Sequence, residues 1–326
     1  MTDQNIVIVI AEQHEDKIQT ITYELLGKGK EIAEKTGTKV FAVLLGNQVE
    51  EEANELIYYG ADKVFVYQHP SFKDFNVLNY KNNIVNLAKE LNPGLLLIGA
   101  SHLGRSLAPR LAVALETGLT ADCIGLNIDD DGNLVQIRPS FSGSILAYMK
   151  TKTKPVITTV RYKTMQSMKR DTSRKGEVVI REAEIIPSLL TILTKQKSGD
   201  INLPEAEIII SGGRGFKKAD DLSILAKLAE TCGGVIGASR PLVDDGWIGK
   251  EHQVGFSGNT VKPKVYIACG ISGSSQHLAG MRRSDIIIAI NTDLSAPIFK
   301  IADYGIVGDL YKILPNLISE IKGRIS

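Results

Sequence analysis

Short runs of consecutive apolar residues alternate with stretches of helical periodicity, and this alternation restricts the chain more than any single residue does. IVIVI at 6–10 precedes a helical pattern over about 17–35, VFAVLLG at 40–46 precedes one near 50–58, and VFVY at 64–67 precedes one at about 76–91, before LLLIGA at 95–100. A strand that is apolar on successive positions must be covered on both faces, which helices on either side of a largely parallel sheet achieve. The spacing therefore predicts an α/β fold.

After residue 120 the rhythm changes to strands with little helix between them: CIGLNI at 123–128, LVQIR at 134–138, PVITTV at 155–160 and VVIREAEII at 178–186. These are expected to form an added or antiparallel part of the first domain. KQKSGDINLP at 195–204 is polar and carries Gly and Pro, which suits a linker. The α/β alternation then resumes with EIIISGG at 207–213, a helix near 219–231, GVIGAS at 234–239, VYIACG at 265–270, IIIAIN at 286–291 and PIFK at 297–300. Leu310, Ile313, Leu314, Leu317, Ile318 and Ile321 follow at amphipathic spacing, interrupted by Pro315, where a helix is expected to restart. A chain of 326 residues exceeds one ordinary core. We expect an amino-terminal α/β domain over 1–197, a linker over 198–206 and a doubly wound domain over 207–326, each of the two built on a mainly parallel sheet flanked by helices.

Lys and Arg number 38 against 37 Asp and Glu, a balance that gives no reason for a nucleic-acid or membrane-surface partner. Cys123, Cys232 and Cys269 form no C-x-x-C pair, which argues against a zinc or iron-sulfur site and fits a reducing cytoplasm. IVIVI is too short for a signal-peptide core, and no window approaches the roughly 18 apolar residues of a membrane span.

In the second domain small and polar clusters are expected at the strand ends: SGGRGF at 211–216, GASR at 237–240, QVGFSGN at 253–259, GISGSSQH at 270–277 and AIN at 289–291. The carboxyl ends of parallel strands form the ligand crevice of an open sheet. Backbone amides in such loops, backed by a helix N-terminus, can hold a diphosphate, and the 272–277 loop is the best placed. The fingerprints G-x-G-x-x-G, G-x-x-x-x-G-K-[ST] and G-x-S-x-G are all absent, so a standard dinucleotide site, a P-loop and a serine-hydrolase elbow lose their motifs. NIDDDG at 127–132 starts like a calcium loop, but its twelfth position is Arg138 where a glutamate is needed, so it reads as a hairpin turn. Gly104 to Ser106 offers another anion-holding turn that no second motif supports, and His102 reads as a loop residue.

The run GISGSSQHLAGMRRSDIIIAINTDLSAPIFKIADYGIVGDL at 270–310 resembles the FAD-binding signature of electron transfer flavoprotein α subunits. SGGRG, ASRPLVDDGW and QVGFSG resemble the family's other flavin-contacting segments, in its order and spacing. The resemblance implies FAD in the carboxyl-terminal domain, a β subunit as heterodimer partner, and electron carriage between flavin dehydrogenases, such as acyl-CoA dehydrogenases, and other redox partners. By position it puts Arg214, Ser239, Asp309 and Leu310 along the adenosine and phosphate end, with Asn291 near the ADP part. Ser272, Gly273, Ser274, Ser275, Gln276 and His277 would line the phosphate and flavin. Arg240, Val254, Gly255, Phe256, Ser257 and His277 would surround the isoalloxazine ring, with Ser257 donating to N5 and Arg240 and His277 stabilising negative charge on the reduced flavin, and Gln253 would also contact the cofactor.

This chain reads SGSSQH where the family more often reads SGAIQH, so packing beside the cofactor differs at Ser274 and Ser275. RPLVDDGW at 240–247 looks more like the flavin-bifurcating branch, which implies NADH oxidation by the heterodimer, a second FAD in the β subunit and delivery to ferredoxin or flavodoxin. A non-bifurcating carrier to a quinone reductase is the competing reading within the family. A nucleotide-binding regulatory module without redox activity is the competing reading outside it.

Overall fold

The computed structural model describes residues 6–140, 145–187, 192–194 and 202–325. The chain divides into two compact units, Met1–Ile192 and Leu193–Ser326. Of the expected linker, 198–201 lies outside the described residues; within the remainder Leu203 is buried among Ile209, Val254 and Tyr266, as part of the second unit's core.

The first unit is built on a seven-stranded sheet in the order Glu177–Arg181, Lys63–Gln68, Val40–Gly46, Val7–Ala11, Leu95–Gly99, Val156–Val160, Leu119–Cys123, parallel throughout. Successive residues of its central strands feed opposite layers. Val7, Val9, Val40 and Ala42 pack with Leu25 and Ile32 of the helix Thr20–Thr36. Ile8, Ile10, Phe41 and Val43 pack with Ile84 of Val77–Leu91 and Leu107 of His102–Ala114. Covering on both sides explains why these strands read as unbroken apolar runs.

The expected antiparallel addition is found only in part. Gly125–Ile128, Leu134–Ser140 and Ile145–Met149 do form a separate antiparallel sheet, with Asp129 accepting from the amides of Asp131 and Asn133 in the hairpin turn. PVITTV instead supplies a fully buried inner strand of the parallel sheet, and the start of VVIREAEII supplies its edge beside Lys63–Gln68. The crossover between Leu119–Cys123 and Val156–Val160 is an antiparallel insertion where a helix is usual, so the helical spacing that marks a parallel neighbour is missing there.

The second unit has a five-stranded parallel sheet in the order Val235–Ala238, Ile208–Gly212, Val265–Cys269, Ile286–Asn291, Tyr304–Val307. Ser223–Cys232 and Leu310–Ile325 cover one face through Leu225, Leu228, Leu310 and Leu314; Ser275–Met281 and Ile298 cover the other. Two expectations fail here. PIFK is a 3-10 turn, Pro297–Lys300, because Pro297 lacks the amide a ladder needs and suits the first position of a turn; the edge strand lies beyond it at Tyr304–Val307. Leu310–Ile325 is one helix containing Pro315. Pro315 removes a single hydrogen bond close to the helix start, and the apolar stripe on both sides of it, Leu310 and Leu314 included, is anchored in one core.

No described helix is long and apolar enough to cross a membrane. No cluster of potential metal ligands occurs among the described residues.

Candidate functional site

In the second unit the first strand, Ile208–Gly212, lies between the second and the third. The connections leaving Gly212 and Cys269 therefore run to opposite sides, which opens a crevice beyond their carboxyl ends. Two of the expected loops meet there backbone to backbone. The Gly213 amide donates to the Cys269 carbonyl (3.0 Å) and the Gly215 amide to the Gly270 carbonyl (3.0 Å). A β-carbon on Gly213 would stand 2.4 Å from the Gly270 oxygen, so this approach requires glycine. Arg214 is exposed between the two contacts.

The third loop, GISGSS, is pinned from below. Ile298 donates to the Ser272 carbonyl (3.0 Å), and Gly273, at φ 89°, has no room for a side chain over Ile298. The hydroxyls of Ser272, Ser274 and Ser275 stay exposed, as does Gln276, while Ser274 also accepts the His277 amide as the cap of Ser275–Met281. Asn291 bridges strand ends, donating to the Ile271 carbonyl (2.9 Å). Ser239 receives the turn after Val235–Ala238, its amide donating to Gly212 (2.9 Å). Asp309 is exposed and accepts from the Tyr311 amide, whereas the Leu310 side chain is buried beneath Gly215 and Gly270.

QVGFSGN is not a strand end, contrary to expectation. It is a tight loop in which Val254 donates to the Ala238 carbonyl and Gly255 donates to Asn259. Gly255, at φ 151°, lies so close to Gly280 that a β-carbon on Gly280 would stand 2.4 Å from the Gly255 Cα. The Phe256 amide donates to the Gln276 carbonyl (2.8 Å), seating the loop on the first turn of Ser275–Met281. Gln253 and Val254 are buried, with Gln253 donating to the Ser257 hydroxyl (3.0 Å); Phe256 and Ser257 face solvent. Arg240 is exposed and paired with Asp244 at 3.1 Å.

His277 is the most enclosed member. The residue is 5 % exposed and its Nε2 lies 3.0 Å from the hydroxyl of the fully buried Tyr266. Burial pushes its pKa down to about 4, against a smaller upward pull from the Val254 carbonyl. The imidazole is neutral at physiological pH and acts as a hydrogen-bonding group with no positive charge. Its Nδ1 and the nearby Ser211 hydroxyl are buried without a hydrogen-bond partner of good geometry. Sequence reading missed Tyr266 and Ser211. The available signal was a phenol and a hydroxyl inside strands that are otherwise aliphatic, VYIAC and IIISG.

The crevice fits FAD in its residues: exposed Arg214, Ser272, Ser274 and Ser275 offer a cation and donors for phosphate, glycine backbone permits close approach, and His277 Nδ1 is a buried polar atom in want of a partner. The side chains of Gln253, Val254 and Leu310 are packed inward, and the Gln253 amide and carbonyl and the Val254 amide are taken by Lys250, Asn259 and Ala238.

Residues 7–185 match the electron transfer flavoprotein domain, and residues 202–282 match the electron transfer flavoprotein FAD-binding domain. The chain is 48 % identical to the electron transfer flavoprotein subunit alpha of Thermoanaerobacterium thermosaccharolyticum, over 99 % of each chain. It is 43 % identical to the lactate dehydrogenase (NAD(+),ferredoxin) subunit LctC of Acetobacterium woodii, over 97 % of this chain and 77 % of that one. The acryloyl-CoA reductase electron transfer subunit beta of Anaerotignum propionicum is 40 % identical, over 96 % of this chain and 95 % of its own. Family match, full-length similarity and the loops gathered at one switch point agree: the chain belongs to the electron transfer flavoprotein family, as an α subunit that transfers electrons with FAD as its cofactor.

Proposed function

We propose that this chain is the FAD-carrying α subunit of a heterodimer with a β-type subunit, that the heterodimer oxidises NADH, and that it bifurcates the electrons between a flavin dehydrogenase and ferredoxin or flavodoxin. The observation that carries the flavin part is the junction of SGGRG with GISGSS at the switch point, with QVGFSG seated beside it on Ser275–Met281. The bifurcating part draws support from RPLVDDGW and from a relative whose name pairs NAD+ with ferredoxin. An acyl-CoA dehydrogenase is the dehydrogenase partner we favour, since another relative is named for acryloyl-CoA reductase. The β subunit has a candidate seat on the strand Ile145–Met149, where Ile145, Leu146, Tyr148 and Met149 are all exposed. We take the FAD domain as moving between partners, and the cytoplasm as the compartment.

FAD, when bound, supplies the one- and two-electron chemistry. The chain's own residues do the rest. Arg214 and the backbone around Gly213 and Ser272 to Ser275 bind the phosphates, with Ser239, Asn291, Asp309 and the Leu310 main chain toward the adenosine end. Arg240, released from Asp244, places a cation beside the ring, which favours the reduced, negatively charged form. Ser257 offers a hydroxyl to the ring, and Gly255 with Phe256 holds water away from one side.

Coexpression with a β-type partner followed by a flavin count tests the reading. One FAD per heterodimer retained by this chain, and a second by its partner, is the expected result. A heterodimer that stays colourless with added FAD overturns the reading in favour of a regulatory nucleotide module. If NADH reduces neither flavin, bifurcation is wrong and a non-bifurcating carrier stands, which is the plainer meaning of the Thermoanaerobacterium relative's name.

A further inference from the structure

Behind the flavin crevice lies a buried polar line that no part of the proposed redox role uses directly. Tyr266 is on the central strand, Ser211 on the neighbouring strand Ile208–Gly212 and His277 on the helix covering that face. All three are buried, Ser211 and Tyr266 completely. The Tyr266 oxygen is 3.0 Å from His277 Nε2, and the two rings are tilted with centroids 6.1 Å apart. Burial holds the Tyr266 phenol protonated well above its ordinary range, and the Ser211 hydroxyl, with a smaller opposite influence on it, makes no hydrogen bond of good geometry. These relations give the line one direction. The Val254 carbonyl acts on the ring as an acceptor, which favours the proton on Nδ1 and leaves Nε2 to accept from the Tyr266 hydroxyl.

Nδ1 is the atom that remains buried without a hydrogen-bond partner of good geometry. The ring is confined between Tyr266 and the QVGFSG loop, since Gly255 lies against the main chain of Gln276 and His277. The Val254 carbonyl that acts on the ring belongs to that loop, so Tyr266 and the loop hold the imidazole between them.

We propose that Tyr266 is a positioning residue for the flavin: its hydroxyl fixes the His277 ring with the proton on Nδ1 and so sets the redox balance of a cofactor it does not touch. The proposal rests on the reading that FAD lies beside His277. It predicts a role for a hydroxyl in the core that packing alone does not require, because phenylalanine would fill the same space.

The test uses the FAD-loaded heterodimer and four forms of this chain: wild type, Tyr266→Phe, His277→Ala and the double variant. Nitrogen-15 shifts of the His277 ring should report a proton on Nδ1 in the wild type and a mixture of tautomers in Tyr266→Phe. At a fixed solution potential Tyr266→Phe should change the ratio of oxidised to reduced FAD by roughly threefold, the scale of one hydrogen bond. In the His277→Ala background the same change should have no further effect. Ser211→Ala, which removes less volume, should move the ratio in the same direction and keeps the test usable if Tyr266→Phe folds poorly. Unchanged ring shifts and an unchanged ratio in Tyr266→Phe overturn the proposal, as does a ratio shift that persists without His277. A wild-type heterodimer that binds no FAD overturns the flavin reading itself and is recognised before any variant is made.

Discussion

The two units each place a switch point at the centre of a parallel sheet, but only one leaves it open. In the first, Val7–Ala11 and Leu95–Gly99 diverge as Ile208–Gly212 and Val265–Cys269 do in the second. The first crevice is taken up by Glu12, which is buried against Gly99 with Oε1 unpaired, and by the small hairpin Gln13–His14 and Lys17–Ile18 that follows it. The second is lined by glycine backbone with exposed Arg214, Ser272 and Ser274. The architecture supplies a crevice in both; the side chain immediately after the first strand decides whether it receives a ligand.

The largest effect expected from breaking this contrast comes from the glycines. A β-carbon at Gly104 would stand 1.8 Å from the Gly99 oxygen, so Gly104→Ala should lower the first unit's stability by about 3 kcal/mol, while protein that remains folded keeps its flavin. Gly213→Ala, with a carbon 2.4 Å from the Gly270 oxygen, should instead release FAD, weakening binding roughly tenfold or more. Flavin absorbance per folded protein separates the two; equal losses of flavin would abolish the distinction.

The buried titratable groups sharpen the comparison through opposite pH dependences. Burial raises Glu12 to about 7, partly offset by hydrogen bonds from Ser101 and the Gly99 backbone, so its contribution to stability is present below pH 4.5 and lost as pH rises through 7. His277 is depressed to about 4, so its contribution is present above pH 6.5 and lost as pH falls through 4. Glu12→Gln should flatten the first slope, on the order of 3 kcal/mol, and leave the second. Urea midpoints of both proteins at pH 4.5, 6 and 7.5 check this; an unchanged alkaline slope in Glu12→Gln would show that another group causes it.

Arg214→Ala should weaken FAD binding about tenfold and reduce its salt dependence without altering thermal stability, because the side chain is exposed. The smallest effect is expected for Asp244→Ala. An exposed pair four residues apart contributes about 0.3–0.5 kcal/mol, so stability should hardly move, while the freed Arg240 should shift the flavin equilibrium slightly toward reduction. A shift toward oxidation would place Arg240 away from the ring.

Much of this was legible without coordinates. The strands IVIVI, VFAVLLG, LLLIGA and VYIACG are where the apolar runs place them, because double-sided burial leaves a continuous signal. SGGRGF, GASR and GISGSSQH were visible as small, polar breaks after such strands. QVGFSGN was visible as a segment but misplaced, since its role comes from the approach of Gly255 to Gly280, a contact between residues far apart in the chain. PVITTV and PIFK differ from expectation for a similar reason: whether a short apolar run is an inner strand, an addition or a turn depends on which neighbour it meets.

The sequence by itself determined the α/β class, the existence of two such units and the composition of the loops, because periodicity and glycine act locally along the chain. Only the tertiary structure decided that Glu12 fills one switch point while the other stays open, and that His277 faces Tyr266 as a neutral ring. Burial and hydrogen-bond partnership arise when distant segments meet, and no local pattern carries them.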